Sequence, residues 1–517
     1  MSKTKSLNLQ SVRKKESHTP KNNYITMNSI KSIVAAMAMT VAASASAQTL
    51  KMENQVVRIT AYEASTAVNL VVVKPEQKLD VLDPSVFTVL TNGVERNVKI
   101  VYTCDDRGEW AENGDYLAFG LEQSKSRGAS PLASTGMMGS WSKAYPVKVD
   151  LKKGKSIKAG GKKYTAIDCE TAHALRNFVS ESDFFSRGIF TGPATGRPGN
   201  ETLTYGAYEP DALRFDGKKN PLIIWLHGMG EGGTDVSIEL MGNEVVALIR
   251  NDIQSHFTTE GGEKGAYVLA VQCPTMWMGT AKGGMSTGNY PSLYSDILKS
   301  CIDNYLELNP DVDRNRIYIG GCSNGGYMTM NMLLRNPGFF AAAYPTCEAY
   351  ADANISDVQI QQLAEENIWI VQSADDTTVN PKEYAIPTYQ RLIKAGAKNV
   401  WFALFETVIG SDMGQKLMGH FSWAYVFNDE VTASQEQTTG DLKPSNNGGG
   451  TVAPQGFNNL FDWMNAQALK EPAPAQQQWG GGQQRPQGQA GQRPQGQGGQ
   501  RPQGGFSRFD ENGNARY

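Results

Sequence analysis

The residues best placed to do chemistry lie in the run IYIGGCSNGGYMTMNMLL, where Gly321-Cys322-Ser323-Asn324-Gly325 has the form G-x-S-x-G. An apolar, strand-like run directly precedes it, and a helical pattern directly follows. A serine on such a strand-to-helix turn projects its hydroxyl, and small flanking residues let strand and helix approach without collision. The start of the helix then lies near any negative charge that develops on a substrate. A serine hydroxyl is a weak nucleophile and needs a base. Only one histidine follows Ser323 in the sequence, His420 in LMGHFSWAYVFND. It would take the Ser323 proton and later give it to the leaving group.

The third member is an acid that fixes the histidine tautomer and stabilises the imidazolium. IWIVQSADDTTVNPKEY offers Asp375 and Asp376 on a loop between a strand and a helix. Asp376 is the choice and Asp375 the runner-up; the unused one caps the helix or is solvated. A tetrahedral intermediate also needs hydrogen-bond donors for its oxyanion. One is expected from the backbone N–H of Asn324, the residue after the nucleophile. The other is expected in PLIIWLHGMGEGGTD, where His227-Gly228-Met229-Gly230 follows an apolar strand. The N–H of Met229 is the choice there, with Gly230 as the alternative. His227 precedes the nucleophile and is expected to be structural. Trp277 in CPTMWMG and Trp423 beside His420 are candidates to line the substrate cleft and stack on a sugar or phenolic ring. Packing in the core or under a lid is an equal reading for both. No G-x-x-x-x-G-K-[ST] or H-E-x-x-H motif occurs. With His and Cys scattered, neither a metal nor another cofactor is expected.

The elements that must position these groups are legible. From residue 221 the apolar runs PLIIWLHG, AYVLAVQ, RIYIGG, IWIVQS and VWFALF alternate with helix-length segments at 291–308, 324–335, 355–366 and 382–395. A last helix is expected at 457–469. Buried strands alternating with helices predict a mostly parallel sheet covered on both faces. With nucleophile, acid and histidine in that chain order, the expected class is α/β, an α/β-hydrolase catalytic domain over 196–470. Ahead of it VVRITAY, AVNLVVV, FTVLTNG, NVKIVYT and DYLAFGLE, separated by turn signals, predict an all-β sandwich over 48–195.

The flanks differ in kind. Residues 1–47 read as an upstream extension and a signal peptide, with Lys31, an apolar run over 33–43 and small residues before Gln48. That run is too short to span a bilayer, and no later stretch reaches that length. A secreted or periplasmic product without membrane insertion is therefore expected. Export permits disulfides, but the six cysteines give no pairing from sequence, and buried free thiols are an equal reading. Residues 471–517 carry RPQGQ at 485 and 493 and RPQGG at 501. Such a composition cannot bury a core and predicts a disordered tail. Across 517 residues, 49 Lys and Arg against 52 Asp and Glu give a net charge of -3. That balance offers no attraction to nucleic acid or to an anionic membrane.

Residues 221–469 resemble the secreted esterase group that includes polyhydroxybutyrate depolymerases, feruloyl and acetylxylan esterases, and predicted peptidases. The stretches that carry the resemblance are LHGMGEGGTD, DVDRNRIYIGGCSNGGYMT, FFAAAYPTCEAY, residues 376–379 and GHFSWAYVFND. VKIVYTCDDRGEWAENGDYLAFGLE is similar to the immunoglobulin-like domain found ahead of some of these esterases. The resemblance implies hydrolysis of carboxylic esters through an acyl-enzyme at Ser323, with His420 and Asp376 as partners. Small-molecule or polysaccharide-linked acetyl and feruloyl esters are the substrates it implies. It also implies that the N-terminal domain aids homo-oligomerisation or shapes the cleft. One departure is Gln372-Ser373, where relatives often have His-Gly. A serine peptidase on the same fold would use the same triad, but no blade-length repeats of a propeller are visible. A non-catalytic polysaccharide-binding protein is the remaining alternative, and it requires the triad groups to lie apart.

Overall fold

The computed structural model describes residues 48–470 apart from 64, 125–126, 136–137, 171–177, 215–216 and 413, together with a short pairing of Arg508–Phe509 with Ala515–Arg516. The expected signal segment and nearly all of the expected tail lie outside the described residues.

Among the described residues, the alternating N-terminal region forms thirteen strands in chain order. They are β1 (Thr49–Tyr62), β2 (Ser65–Pro75), β3 (Phe87–Thr91), β4 (Val94–Arg96), β5 (Val98–Cys104), β6 (Tyr116–Leu121) and β7 (Leu132–Thr135). β8 (Met138–Trp141), β9 (Val147–Leu151), β10 (Ile157–Ala159), β11 (Lys162–Tyr164), β12 (Ala166–Glu170) and β13 (Phe178–Ser180) follow. One sheet has the order β12-β1-β2-β6-β5, with β13 also paired to β1, and another has the order β4-β3-β9. Their inner residues meet in one apolar cluster, where the rings of Phe87 and Phe119 stand edge to face at 5.1 Å. The β3–β4 turn is Asn92-Gly93, with φ of 48° and 77°. A two-residue hairpin of matching twist demands left-handed backbone at both positions, which Asn and Gly supply most readily.

The second layer system is an eight-stranded sheet. Its strands are β14 (Ser186–Pro193), β15 (Asn200–Tyr208), β16 (Asn220–Leu226), β17 (Tyr267–Gln272), β18 (Val312–Cys322), β19 (Ala342–Thr346), β20 (Ile368–Ser373) and β21 (Val400–Phe405). Their order is β14-β15-β17-β16-β18-β19-β20-β21. β14 and β15 run antiparallel, and the pairs from β17 to β21 run parallel. Every residue of β16, β17, β20 and β21 is buried, the mark of a parallel sheet covered on both faces. The helices Ser295–Leu308, Asn324–Arg335, Asp357–Leu363, Ala385–Lys394 and Leu460–Asn465 fall within the expected segments.

Two features depart from the sequence reading. The boundary expected at 195/196 cuts a hairpin, because β14 pairs with β15 over its full length. Sheet membership changes earlier, between β13 and β14. The strand β19 was not expected: AAYPT is short, and Pro345 reads against a central strand because it lacks a ladder N–H.

The described residues from Thr49 to Lys470 form one compact unit. Arg250 of the α/β region joins Glu181 through two contacts of 2.7 Å and Glu244 at 2.6 Å. Trp141 Nε1 of β8 donates to Ser237 Oγ at 2.8 Å. All six cysteines are buried and unbonded to one another. Among the described residues no helix is long and apolar enough to cross a membrane.

Candidate active site

The strand β18 runs straight into the helix Asn324–Arg335, and Ser323 stands at the joint with φ 57° and ψ -115°. A residue other than glycine holds such a backbone only where its surroundings impose it. Here Ser323 N donates to Thr346 O at 2.9 Å, and Tyr327 N donates to Ser323 O at 2.9 Å. The flanking glycines are required by contact with the end of β16. A Cβ at Gly321 would lie 2.6 Å from Leu226 O, and one at Gly325 would lie 1.9 Å from the same oxygen. The motif is thus the packing solution for a serine thrust out between two sheet strands and a helix.

His420 lies on the loop that follows β21. Its Nδ1 is 2.8 Å from Asp376 Oδ2, and the two residues are 6% and 3% exposed. The other carboxylate oxygen, Asp376 Oδ1, accepts from Thr378 N at 2.8 Å and Val379 N at 2.9 Å. Those bonds fix the carboxylate, which then fixes the imidazole with its Nδ1–H toward Asp376 and leaves Nε2 for proton exchange. Ser323 and His420 line the same cavity, of about 390 Å³.

Asp375 is engaged elsewhere. It accepts from Ser373 Oγ at 2.7 Å and Thr407 Oγ1 at 2.7 Å, and it pairs with Lys416 Nζ at 3.1 Å. Burial pushes its carboxyl up, but these three donors outweigh burial and hold it below the usual carboxylate range. The structure therefore brings Asp376, and not its neighbour, to His420.

The two expected oxyanion donors share a common local reason. Asn324 opens its helix, and Met229 opens the short 3-10 turn Met229–Glu231. The first amides of a helix have no acceptor within it. Gly228, Met229 and Gly230 all line the cavity beside Ser323. Asn324 is held by its side chain, whose Oδ1 accepts from Met278 N at 2.9 Å. His227 is structural, as expected. Its Nε2 accepts from Cys273 N at 3.1 Å, so Nδ1 carries the proton and donates to Gly228 O at 2.5 Å. Burial pushes His227 down to about 4, against the bond to Gly228, so it stays neutral while it braces the glycine-rich loop.

The two tryptophans separate. Trp423 lines the cavity and sets its ring edge to face with His420 at 5.7 Å. Trp277 does not line it. It is fully buried, 5.1 Å from the His227 ring and 5.9 Å from Tyr294, and so packs behind the glycine-rich loop. The expectation of a cleft-lining Trp277 is corrected to that packing role.

Several cavity residues had no sequence signal. Ser65, Leu132 and Gly139 come from the N-terminal strands, and Glu231 and Phe421 flank expected residues. Burial pushes the Glu231 carboxyl up to about 7, against hydrogen bonds from its own N–H, from Asn243 and from Gly228. Among the described residues no cluster of three or more His, Cys, Asp or Glu could hold a metal ion.

A family model described as the prolyl oligopeptidase family matches residues 292–403, a span that holds Ser323 and Asp376 but neither His420 nor the Gly228 loop. No curated protein matches the chain. Among solved structures, a thermostable esterase is 21% identical, covers 74% of this chain and 96% of its own, and superposes with a TM-score of 0.57. A ferulic acid esterase is 16% identical over 47% of this chain and 95% of its own, with a TM-score of 0.34. An acylaminoacyl peptidase in complex with Z-Gly-Gly-Phe-chloromethyl ketone is 14% identical over 71% of this chain and 58% of its own, with a TM-score of 0.33. Of these three, only the first likeness extends to a whole fold. Sheet order, serine elbow and that superposition together give the chain an α/β-hydrolase fold.

Proposed function

We propose that the chain is an exported serine hydrolase that cleaves carboxylic esters through Ser323, His420 and Asp376. One observation carries the reading: a serine on a strained elbow and an aspartate-bound histidine line a single cavity. In the first half-reaction Ser323 Oγ bonds to the ester carbonyl carbon as its proton passes to His420 Nε2. The carbonyl π electrons move onto oxygen, where the N–H groups of Met229 and Asn324 receive the charge. The intermediate collapses, the ester C–O bond breaks, and the alcohol leaves with the proton from His420. Water then adds to the acyl-enzyme as His420 takes its proton, the acyl C–Oγ bond breaks, and the carboxylic acid departs as His420 returns the proton to Ser323 Oγ.

Esters of acetyl or feruloyl groups, small or linked to polysaccharide, are the proposed substrates. The motif resemblance and a cavity walled by Leu132, Phe421 and Trp423 support that class. The N-terminal sandwich is proposed to be immunoglobulin-like, to shape the cleft and to aid homo-oligomerisation. The sequence of residues 1–47 supports export to the periplasm or beyond. A peptidase is the second reading, favoured by the family match over 292–403. An ester leaves as an alcohol and asks less of the proton donor than an amine does, so esters come first.

Replacing Ser323 by alanine is expected to abolish p-nitrophenyl acetate hydrolysis while circular dichroism and melting stay unchanged; retained turnover refutes the assignment. A panel of acetyl, feruloyl, longer acyl and peptide substrates then ranks the two readings. Turnover of peptides alone would reverse the preference.

A further inference from the structure

Glu63 ends the β1 side of the first hairpin and is 2% exposed. It belongs to the sandwich, yet its side chain reaches the segment that carries His420. Glu63 Oε1 accepts from Asp412 N at 2.7 Å, from Asn428 Nδ2 at 2.8 Å and from Ser411 Oγ at 3.4 Å. Its backbone carbonyl accepts from Trp423 Nε1 at 3.1 Å. Gly410 lies against the carboxylate, where a Cβ would stand 2.0 Å from Oε2.

These partners bracket His420 along the chain, at 410–412 before it and at 423 and 428 after it. The bracketed segment has little regular structure of its own. Two-residue strands, Ile409–Gly410 and Gln415–Lys416, and the helix Trp423–Phe427 are all it contains among the described residues. A segment with so little regular structure leans on outside contacts as well as on its own turns. Trp423 relays the contact inward, because the indole whose Nε1 is held by Glu63 also meets the His420 ring.

We propose that Glu63 is a positioning residue for the reaction, clamping the His420 loop to the sandwich and so setting where the imidazole stands relative to Ser323. The inference rests on the serine-hydrolase reading of the site. It makes the first hairpin part of the active-site scaffold, although Glu63 itself does not touch the cavity.

The test compares full-length wild type, Glu63→Ala and Glu63→Gln on p-nitrophenyl acetate, with melting curves and labelling of Ser323 by an organophosphonate. Glu63→Ala is expected to lower kcat about tenfold to a hundredfold, with KM held within about threefold, because a small displacement of a catalytic group is amplified in rate. Glu63→Gln keeps an acceptor oxygen for Asp412 N and Asn428, and should recover most of the rate. A lowered melting point with unchanged kcat would make Glu63 merely structural and overturn the proposal. Should Glu63→Ala fail to fold, Asn428→Ala removes one donor from the same clamp. It is expected to lower kcat about threefold; an unchanged kcat there also overturns the proposal. Failure of the hydrolase reading looks different: wild type itself would show neither ester turnover nor Ser323-dependent labelling, and both inferences would fall together.

Discussion

Asp375 and Asp376 are adjacent and chemically identical, yet only one serves His420. The difference is what each carboxylate already holds. Asp376 accepts two backbone amides and the imidazole, whereas Asp375 is taken up by Ser373, Thr407 and Lys416. Asp376→Asn is therefore expected to lower kcat by about 10⁴-fold, the loss typical when a triad acid can no longer fix the histidine tautomer. Asp375→Asn should stay within about tenfold of wild type, because its carboxylate is 35% exposed and makes no contact with His420. A steady-state comparison of the two decides the matter, and a larger loss at position 375 would overturn the assignment. Ser323, His420 and Asp376 were legible in sequence because a motif, an order along the chain and a single downstream histidine all constrain them. Trp277 was not, because an aromatic near a cleft does not declare which side of the loop its ring occupies. Glu63 was illegible for another reason: its bond to Asp412 joins residues 349 positions apart.

At the scale of elements, the strands of the α/β sheet were readable wherever burial on both faces gave a continuous apolar run. β19 escaped because its sequence carries a proline, and β14 because its exposed residues alternate with half-buried ones. Element ends are fastened by polar clasps that no periodicity announces. The clearest is His256, whose Nε2 meets Asp429 Oδ2 at 2.8 Å and whose Nδ1 meets Asp462 Oδ1 at 2.8 Å. It ties the helix Leu460–Asn465 to the turn after Trp423–Phe427. The Asp429 bond, aided by Asp462 and opposed by burial, raises His256 to about 9. The unfolded value is about 6.5. Stabilisation from this clasp is thus complete below about pH 6.5 and is lost as pH rises through about 9. Melting curves from pH 6 to pH 10 should show the gap between wild type and His256→Gln narrowing toward the alkaline end. A gap constant with pH would contradict the clasp.

Across the whole of residues 49–470, Arg250 is one of the contacts that pin the N-terminal strands to the α/β layer. Arg250 has a side chain 14% exposed, between Glu181 at 6% and Glu244 at 0%. Burial opposes its charge, but the two carboxylates outweigh burial and keep the guanidinium protonated. Arg250→Ala would strand both carboxylates in the interior and is expected to cost about 3–5 kcal/mol. Urea unfolding would measure that loss, and a change below about 1 kcal/mol would show that the junction is not held by this pair. The presence of an all-β region before an α/β region was legible from the switch in hydrophobic period. Their junction was not, since pairing of β14 with β15 depends on contacts that the local pattern does not encode.

The hollow at Ser323 is walled by Ser65, Leu132 and Gly139 on one side and by the α/β loops on the other. Any guest beside Ser323 would therefore touch two stretches of the chain that lie far apart in sequence. Substitutions at Leu132 or Gly139 would reshape that wall without altering any residue from 318 to 428.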